Sequence, residues 1–572
     1  MYKIVFGTPE KHTPTAYCGP LNYQETGVNY PVSRIRYKQT QDGCILEFPF
    51  SDEECFYGMG LQMYSFNHKG RNVLVRVNSD PVRPTGDSHA PVPFFVSTKG
   101  YGIFVDTARY AEFRFGVQTR ESAAAEINEE IQTSTEGLYQ SRISGDRVIG
   151  VYVPHAQGVT VYVIEGTTIL DVVKQYNVLS GGGPDVPDWA LGTFYRCYAK
   201  NTADEVIEMG RYLKEHDLPV SVIGLEPGWQ SHAYSCTYTW NPEIFPEEKR
   251  TAMFAEMRKM GYHLNLWEHA FVNEGAPFFK DVLPGSGSYR VWNGLVPDFT
   301  IRSTRDAFAR HHRENVINDV VDGFKLDECD SGDYVHDWSF PNFTVFPSGM
   351  NGEQYHSLFG TLYMQTVVEA LDGKKTLGEC RSMHALCTSY PFVLYSDLYG
   401  QKEFIQACVN SGFSGLLWTP ELRDAHSAEE LIRRLQNTVF SAHCLINAWY
   451  CEKAPWLDLD CEDAVRRLLQ IREGLKPRLR RAFDRYRDEG VPPVRALVCE
   501  YTDDKATYDV NDEYLFCDDL LVAPVISGQS ERQVYLPAGK WVHYLDGRAF
   551  EAGSFRYICR DAEDLPVFRR LS

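Results

Sequence analysis

A chain of 572 residues with a formal net charge of −20 and an isoelectric point near 5.3 is too long for one compact core. Two to four domains are expected, and the acidic balance argues against nucleic acid or an anionic membrane surface as partner. No apolar run approaches a membrane span, Met1–Gly7 lacks a signal-peptide core, and the 15 cysteines are scattered without CxxC pairs. A cytoplasmic protein with reduced thiols is therefore expected. HExxH, Walker and GxGxxG patterns do not occur in a convincing setting, so neither a metal nor a cofactor is expected.

Residues 1–185 carry short alternating runs broken by Gly, Pro, Asn and Asp, such as 44–48, 102–105 and 148–153. No long helical period intervenes before Thr168, so an N-terminal β-sandwich is expected, ending at Gly181–Pro184. From 186 to 488 short apolar strands alternate with amphipathic helices. Eight strands are predicted, at 191–196, 220–225, 262–267, 322–327, 375–380, 391–396, 413–418 and 443–449, with helices such as 203–216, 249–260, 303–316, 353–371 and 429–440 between several of them. That pattern implies a multidomain α/β chain with a central (β/α)₈ TIM barrel carrying insertions. Strand 391–396 follows its predecessor with little room for a helix, and the long segments after 267 and 327 are placed to cover the mouth. A helix after 456, with Arg466, Arg467, Arg480 and Arg481, reads as a solvated face. Strands at 514–516, 520–523, 534–536 and 541–542 then form a small C-terminal β-domain over 489–572.

Barrel chemistry sits at the C-terminal ends of the strands. Those ends supply Glu226 and Trp229 after strand two, Trp267 after strand three, and Asp327 at the end of strand four. Arg381, Asp397, and then Trp418 and Glu421 follow strands five, six and seven. Carboxylates accept hydrogen bonds from sugar hydroxyls, and aromatic faces cover the apolar faces of a pyranose, so the ring of residues suits a carbohydrate. The stretch Asp322–Asp330 is an apolar strand that ends in carboxylates, with Lys325 and Asp327 on one face. A retaining glycosidase needs two carboxyl groups about 5–5.5 Å apart, and Asp327 and Asp397 stand where they can face each other across the mouth.

The span from Trp189 to Pro524 resembles glycoside hydrolase family 31, the retaining α-glucosidases, α-xylosidases and relatives. The resemblance rests on Pro187–Gly192 (PDWALG), Asn241–Pro246 (NPEIFP), Gly323–Asp327 (GFKLD), Arg381-Ser382 with Asp397 sixteen residues after the arginine, Val491–Arg495 (VPPVR) and Asp519–Pro524 (DLLVAP). In the N-terminal part, Phe56–Gly60 (FYGMG) and Asn78–Pro81 (NSDP) look like the sandwich loop that reaches the active site. The resemblance implies Asp327 as nucleophile, Asp397 as general acid/base, Arg381 and Lys325 as substrate or charge partners, and Asp80 as a loop contact. Asp397 then needs burial or a like charge to raise its pKa.

Two departures bear on the sugar. Glu226–Trp229 (EPGW) replaces the family's aspartate pair and is closer to the α-galactosidase families 27 and 36, as is Lys325–Cys329 (KLDEC). Asn447 stands after strand eight, where family glucosidases carry histidine. An exo-acting α-galactosidase-type specificity on a small oligosaccharide or α-glycoside is the expectation. The alternatives are α-glucosidase, α-xylosidase or α-N-acetylgalactosaminidase, an α-glucan lyase, or a non-catalytic carbohydrate binder. Acidity and size are also those of enzymes that often form homo-oligomers.

Overall fold

The computed structural model describes residues 1–79, 81–119, 147–332 and 337–571. The N-terminal part is a sandwich of two antiparallel five-stranded sheets. In spatial order, one contains Tyr2–Gly7, Gly158–Glu165, Tyr101–Asp106, Pro91–Ser97 and Phe56–Gly60. The other contains Arg36–Gln39, Gly43–Pro49, Arg147–Pro154, Ala111–Thr119 and Asn72–Val75. Inward positions of both sheets, including Leu46, Phe48, Phe95, Ile103, Phe113 and Val151, make one apolar layer, as period-two alternation requires. The first sheet also buries its other face. Phe94 stacks on Tyr176 at 3.9 Å, from the helix Ile169–Leu179 that Thr168 opens with a reciprocal capping box.

A parallel sheet of seven strands follows, ordered Phe392–Leu394, Gly378–Cys380, Val321–Asp327, His263–His269, Val222–Leu225, Thr193–Arg196 and Cys444–Asn447. Nearly all positions of these strands are buried, as in a parallel sheet covered by helices; apolar residues such as Val222, Ile223, Phe324, Leu326 and Leu445 share the strands with charged ones such as Arg196, Lys325 and Glu379. The predicted seventh strand at 413–418 is not a strand. Residues Gly412–Ser414 form a 3₁₀ turn, Gly415 takes a left-handed φ of 66°, and Pro420 has no N–H for a ladder. The position is filled instead by an irregular crossing. Thr419 N donates to Leu394 O at 3.1 Å and Leu422 N to Leu445 O at 3.0 Å, and bridges at Trp418 and Leu422 close the barrel between strands six and eight. The five helices expected between strands appear within two residues of their predicted ends, at Ala203–Glu215, Glu247–Met260, Arg302–Asn315, Gly352–Leu371 and Ala428–Val439. Residues 381–391 hold no helix, which explains the short link between strands five and six.

The arginine-rich helix spans Glu462–Glu489. Arg467 and Arg480 do meet solvent-side carboxylates, but Arg472, from the same helix, is fully buried. Its guanidinium donates to the carbonyls of Leu191, Val439, Ser441 and Ala442 at 2.7–3.3 Å, tying the helix to the start of strand one and the turn before strand eight. A six-stranded and a two-stranded antiparallel sheet complete the chain. No helix among the described residues is long and apolar enough to cross a membrane.

Candidate active site

Parallel register brings the chemistry to one level. Trp267 pairs with Lys325, His269 with Asp327, and Leu326 with Cys380, so Asp327 and Arg381 leave adjacent strands side by side. Asp327 is 8% exposed, at the bottom of the mouth. Its Oδ2 accepts from Trp267 Nε1 at 2.7 Å, its Oδ1 accepts from Glu328 N at 2.9 Å, and Arg381 Nη1 lies 3.6 Å from Oδ1. Arg381 is the hub of the site. Its Nη1 contacts Asp397 Oδ2 directly, while its Nε and Nη2 reach Asp330 Oδ2 at 3.1 and 3.0 Å.

Lys325 is not the immediate partner of Asp327. Its ammonium sits 3.4 Å from both oxygens of Glu226 and 4.8 Å from the Tyr395 ring, and Arg381 supplies the ion pair to Asp327 instead. Glu226 also meets Arg196, which continues to Asn265 at 2.7 Å and Glu379 at 3.5 Å, and Glu379 meets His443 at 3.0 Å. This network fills the barrel floor with buried charges that alternate in sign, as burial of charge requires.

Asp397 differs from the expectation. Burial works to raise its pKa, but Arg381, Arg423 and Lys325 together outweigh that effect and hold it well below the usual carboxylate range. Its side chain is 61% exposed at the rim. Arg423 approaches Asp397 Oδ1 at 3.8 Å, donates to the Asp397 carbonyl at 2.7 Å and also bonds the Ser396 carbonyl, so one guanidinium fixes both the charge and the backbone of this loop.

Several expected sugar contacts belong to the scaffold. Trp229 is buried 5.0 Å from Trp240, and its Nε1 donates to the Trp267 carbonyl at 2.6 Å, so it backs Trp267 and offers no open face. Trp418 is turned outward from the mouth, edge-on to Phe404 at 5.1 Å with Nε1 on the Phe404 carbonyl at 3.2 Å. Glu421 is held by Arg423 Nε at 2.5 Å and Asn447 Nδ2 at 3.2 Å, while Asn447 Oδ1 is buried without a partner among the described residues. Asp80 lies outside the described residues.

The sequence pattern misses His89, Asp330, Arg423 and Tyr234. His89 comes from the sandwich and is fully buried. Its Nδ1 donates to Asp330 Oδ2 at 2.9 Å, and Nε2 faces Ser396 Oγ at 2.7 Å, one residue before Asp397. Asp330 was visible only as an unassigned carboxylate three residues past Asp327, and nothing local marks His89. Tyr234 packs 5.5 Å from Trp267 and 4.9 Å from Trp292, which the hairpin Ser286–Val291 and Gly294–Pro297 presents. Its hydroxyl is pushed well above the tyrosine range, by burial first and then by Asp327 and Glu328.

A TIM barrel with paired carboxylates, an arginine hub and an aromatic wall at its C-terminal mouth defines a carbohydrate-active enzyme. Residues 183–481 match the family model described as the glycosyl hydrolases family 31 TIM-barrel domain. Residues 20–113 match its N-terminal galactose mutarotase-like domain and residues 490–571 its C-terminal domain. The chain belongs to glycoside hydrolase family 31 and is a retaining glycoside hydrolase. It is 26% identical to alpha-glucosidase 2 of Bacillus thermoamyloliquefaciens, over 92% of this chain and 68% of that one. It is 25% identical to the alpha-xylosidase XylQ of Lactiplantibacillus pentosus, over 91% and 67%. The family 31 dextranase of Flavobacterium johnsoniae, solved with glucose, superposes with a TM-score of 0.80 at 20% identity, over 93% of this chain and 67% of that one.

Proposed function

We propose that this chain is an exo-acting α-glycosidase working by double displacement, with Asp327 as nucleophile and Asp397 as acid and base. The carrying observation is that both carboxylates contact the same nitrogen, Nη1 of Arg381. Sharing one nitrogen keeps them closer than the ~6.5–9.5 Å that inverting enzymes leave for a water, and near the ~5–5.5 Å of retaining ones. Asp327 Oδ attacks the anomeric carbon as the glycosidic C–O bond breaks, and Asp397 delivers its proton to the departing oxygen. Asp397, now ionised, takes a proton from water, whose oxygen attacks the anomeric carbon and releases Asp327. Depth supports exo action: the nucleophile is nearly buried and the acid sits at the rim, so one ring is enclosed and its substituent leaves outward.

The galactose expectation stood on Glu226–Trp229, on Lys325–Cys329 and on Asn447 in place of histidine; the first of these carried the contacts to the sugar. Glu226 is neutralised between Arg196 and Lys325, and Trp229 lies behind Trp267, so neither is reserved for an axial O4. We therefore take a gluco- or xylo-configured glycone, in line with relatives named as α-glucosidase and α-xylosidase. A panel of aryl α-glucoside, α-xyloside, α-galactoside and α-N-acetylgalactosaminide, with proton NMR of the first-formed sugar, tests this. Release of the α-anomer from the glucoside or xyloside is expected. A β-anomer as first product would overturn the double displacement, and turnover of the galactoside alone would restore galactose.

A further inference from the structure

The chain leaves barrel strand eight, Cys444–Asn447, through Ala448, Trp449 and Tyr450. Trp449 is 40% and Tyr450 39% exposed, directly after a fully buried strand, and the exposed Glu452 and Lys453 follow them. Single exposed aromatics are ordinary on a protein surface. These two are adjacent and fixed in place. Their rings meet edge-on at 5.0 Å and 79°, and the Trp449 carbonyl accepts from Ala199 N at 2.7 Å, in the loop after strand one. Tyr450 donates its hydroxyl to Asp424 Oδ1 at 2.5 Å, and Tyr399 donates to the Asp424 carbonyl at 2.9 Å. Tyr399 in turn accepts from Arg423 N at 2.8 Å. Asp424 follows Arg423, the residue that grips Asp397. The aromatic pair is thus wired to the acid/base loop through three hydrogen-bonding residues, Asp424, Tyr399 and Arg423.

Its position around the barrel adds the second argument. Asp327 ends strand four, and Trp449 and Tyr450 follow strand eight, the opposite side of an eight-position ring. Displacement at the anomeric carbon places the attacking oxygen and the leaving oxygen roughly in line, so the leaving group lies away from Asp327. In the ring order, strand six with Asp397 lies between strand four and strand eight, so the side away from Asp327 is the side of the aromatic pair. Two amphipathic rings presented there, with their orientation already fixed, lose little entropy on meeting a ligand face.

We infer that Trp449 and Tyr450 form the binding platform for the leaving group, and that its occupant is a second pyranose ring whose C–H face covers the indole. The inference rests on the reading of Asp397 as the acid that protonates that group. It predicts a substrate of at least two sugar units, with the platform contributing to recognition of the unit that departs.

The test compares wild type, Trp449→Ala and Trp449→Phe on two substrates with the same glycone: an α-linked disaccharide and the α-glycosyl fluoride, which carries no second ring. The ratio of kcat/KM for disaccharide to that for fluoride is expected to fall about tenfold in Trp449→Ala, chiefly through KM, and to recover most of the way in Trp449→Phe. An unchanged ratio overturns the inference, whether both substrates are unaffected or both impaired alike, because a purely structural or protein-docking role moves them together. Failure of the wild type to turn over any α-glycosyl fluoride would sink the α-glycosidase reading beneath it, and this inference with it.

Discussion

Arg423 offers the sharpest check on how the rim aspartate works. Asp397 must carry a proton to act as an acid, yet Arg381 and Arg423 hold its pKa below the usual carboxylate range. A depressed pKa means the free enzyme keeps Asp397 ionised through the neutral range, so the reactive protonated form is a minority. Arg423→Gln removes one unit charge 3.8 Å from Oδ1. With the Asp397 side chain 61% exposed, the dielectric is close to that of water, and the interaction is about 1 kcal/mol. Its loss raises the pKa and, above the pH optimum, the protonated fraction by about fivefold. Loss of the cation also leaves Glu421 without its 2.5 Å partner, and that negative charge acts in the same direction.

The alkaline arm of the kcat/KM profile on an α-disaccharide should therefore lie about fivefold higher in Arg423→Gln than in wild type, once each is normalised at its optimum. Arg423→Lys keeps the charge and should leave the arm in place. Hydrolysis of an α-glycosyl fluoride, which needs little acid assistance, should show no displacement in either variant. Salt near 1 M, where the screening length falls to about 3 Å, should shrink the difference. An alkaline arm that stays put or drops in Arg423→Gln, or that moves equally for the fluoride, refutes the electrostatic account.

Three further outcomes follow from the same contacts. His89→Phe removes hydrogen bonds to buried Asp330 and Ser396, together worth about 3 kcal/mol. Thermal shift should show a lower melting temperature, and the disaccharide-to-fluoride ratio of kcat/KM should fall, because the Ser396–Asp397 backbone loses its support; stability loss at a constant ratio would leave His89 without a role in positioning. Asp330 has its pKa lowered, since Arg381 and His89 outweigh the opposing effect of burial. It therefore contributes stability that is fully present above the unfolded value near 4 and disappears as pH falls through its lower folded value. The melting temperature of Asp330→Asn should accordingly change less between pH 6 and pH 3 than that of wild type, and an equal or larger change would contradict the assignment. Arg472→Met leaves four buried carbonyls without their donor and should destabilise the chain by several kcal/mol, read as a lower denaturant midpoint, whereas the exposed Arg481→Met should be nearly silent.

The strands and helices of the barrel were legible because each is encoded locally. Val321–Asp327 and His263–His269 are short runs in which apolar residues (Phe324 and Leu326, Leu264 and Leu266) alternate with polar ones, and Ala203–Glu215 has a capped amphipathic period. The seventh position was not legible. Leu416, Leu417 and Trp418 read as a strand, but a left-handed Gly415 and the missing N–H of Pro420 leave only isolated bridges, and neighbouring strands complete the wall. Asp327, Arg381 and Asp397 could be placed at one mouth because a strand end is a local feature and the barrel rule converts it to a place. Which cation meets which carboxylate is decided by tertiary distances, so Lys325 was matched to Asp327 when its ammonium points to Glu226. Trp229 and Trp418 failed for another reason. An indole suits a sugar face and a core equally, and only its neighbours, Trp240 and Phe404, decide.

One consequence of the pairing pattern reaches the reaction itself. Arg381 touches three carboxylates, but they are held unequally. Asp330 is buried and gripped by Nε, Nη2 and His89, and Asp327 is secured by Trp267 and the Glu328 amide. Asp397 alone stands at the rim, with Arg381 and Arg423 as its only side-chain partners among the described residues. A sugar entering the pocket competes for Arg381 first where the bond is most exposed to water, so the Asp397 contact is the one that yields. In the proposed mechanism Asp397, freed from Arg381, regains a higher pKa as its proton is needed, while Asp327 keeps the donors that would orient its attack. Proton uptake on binding a non-hydrolysable glycoside analogue, measured by calorimetry in buffers of different ionisation enthalpy, should therefore be positive at neutral pH. Binding without proton uptake would mean that Asp397 keeps its arginine throughout and acquires its acidity by another route.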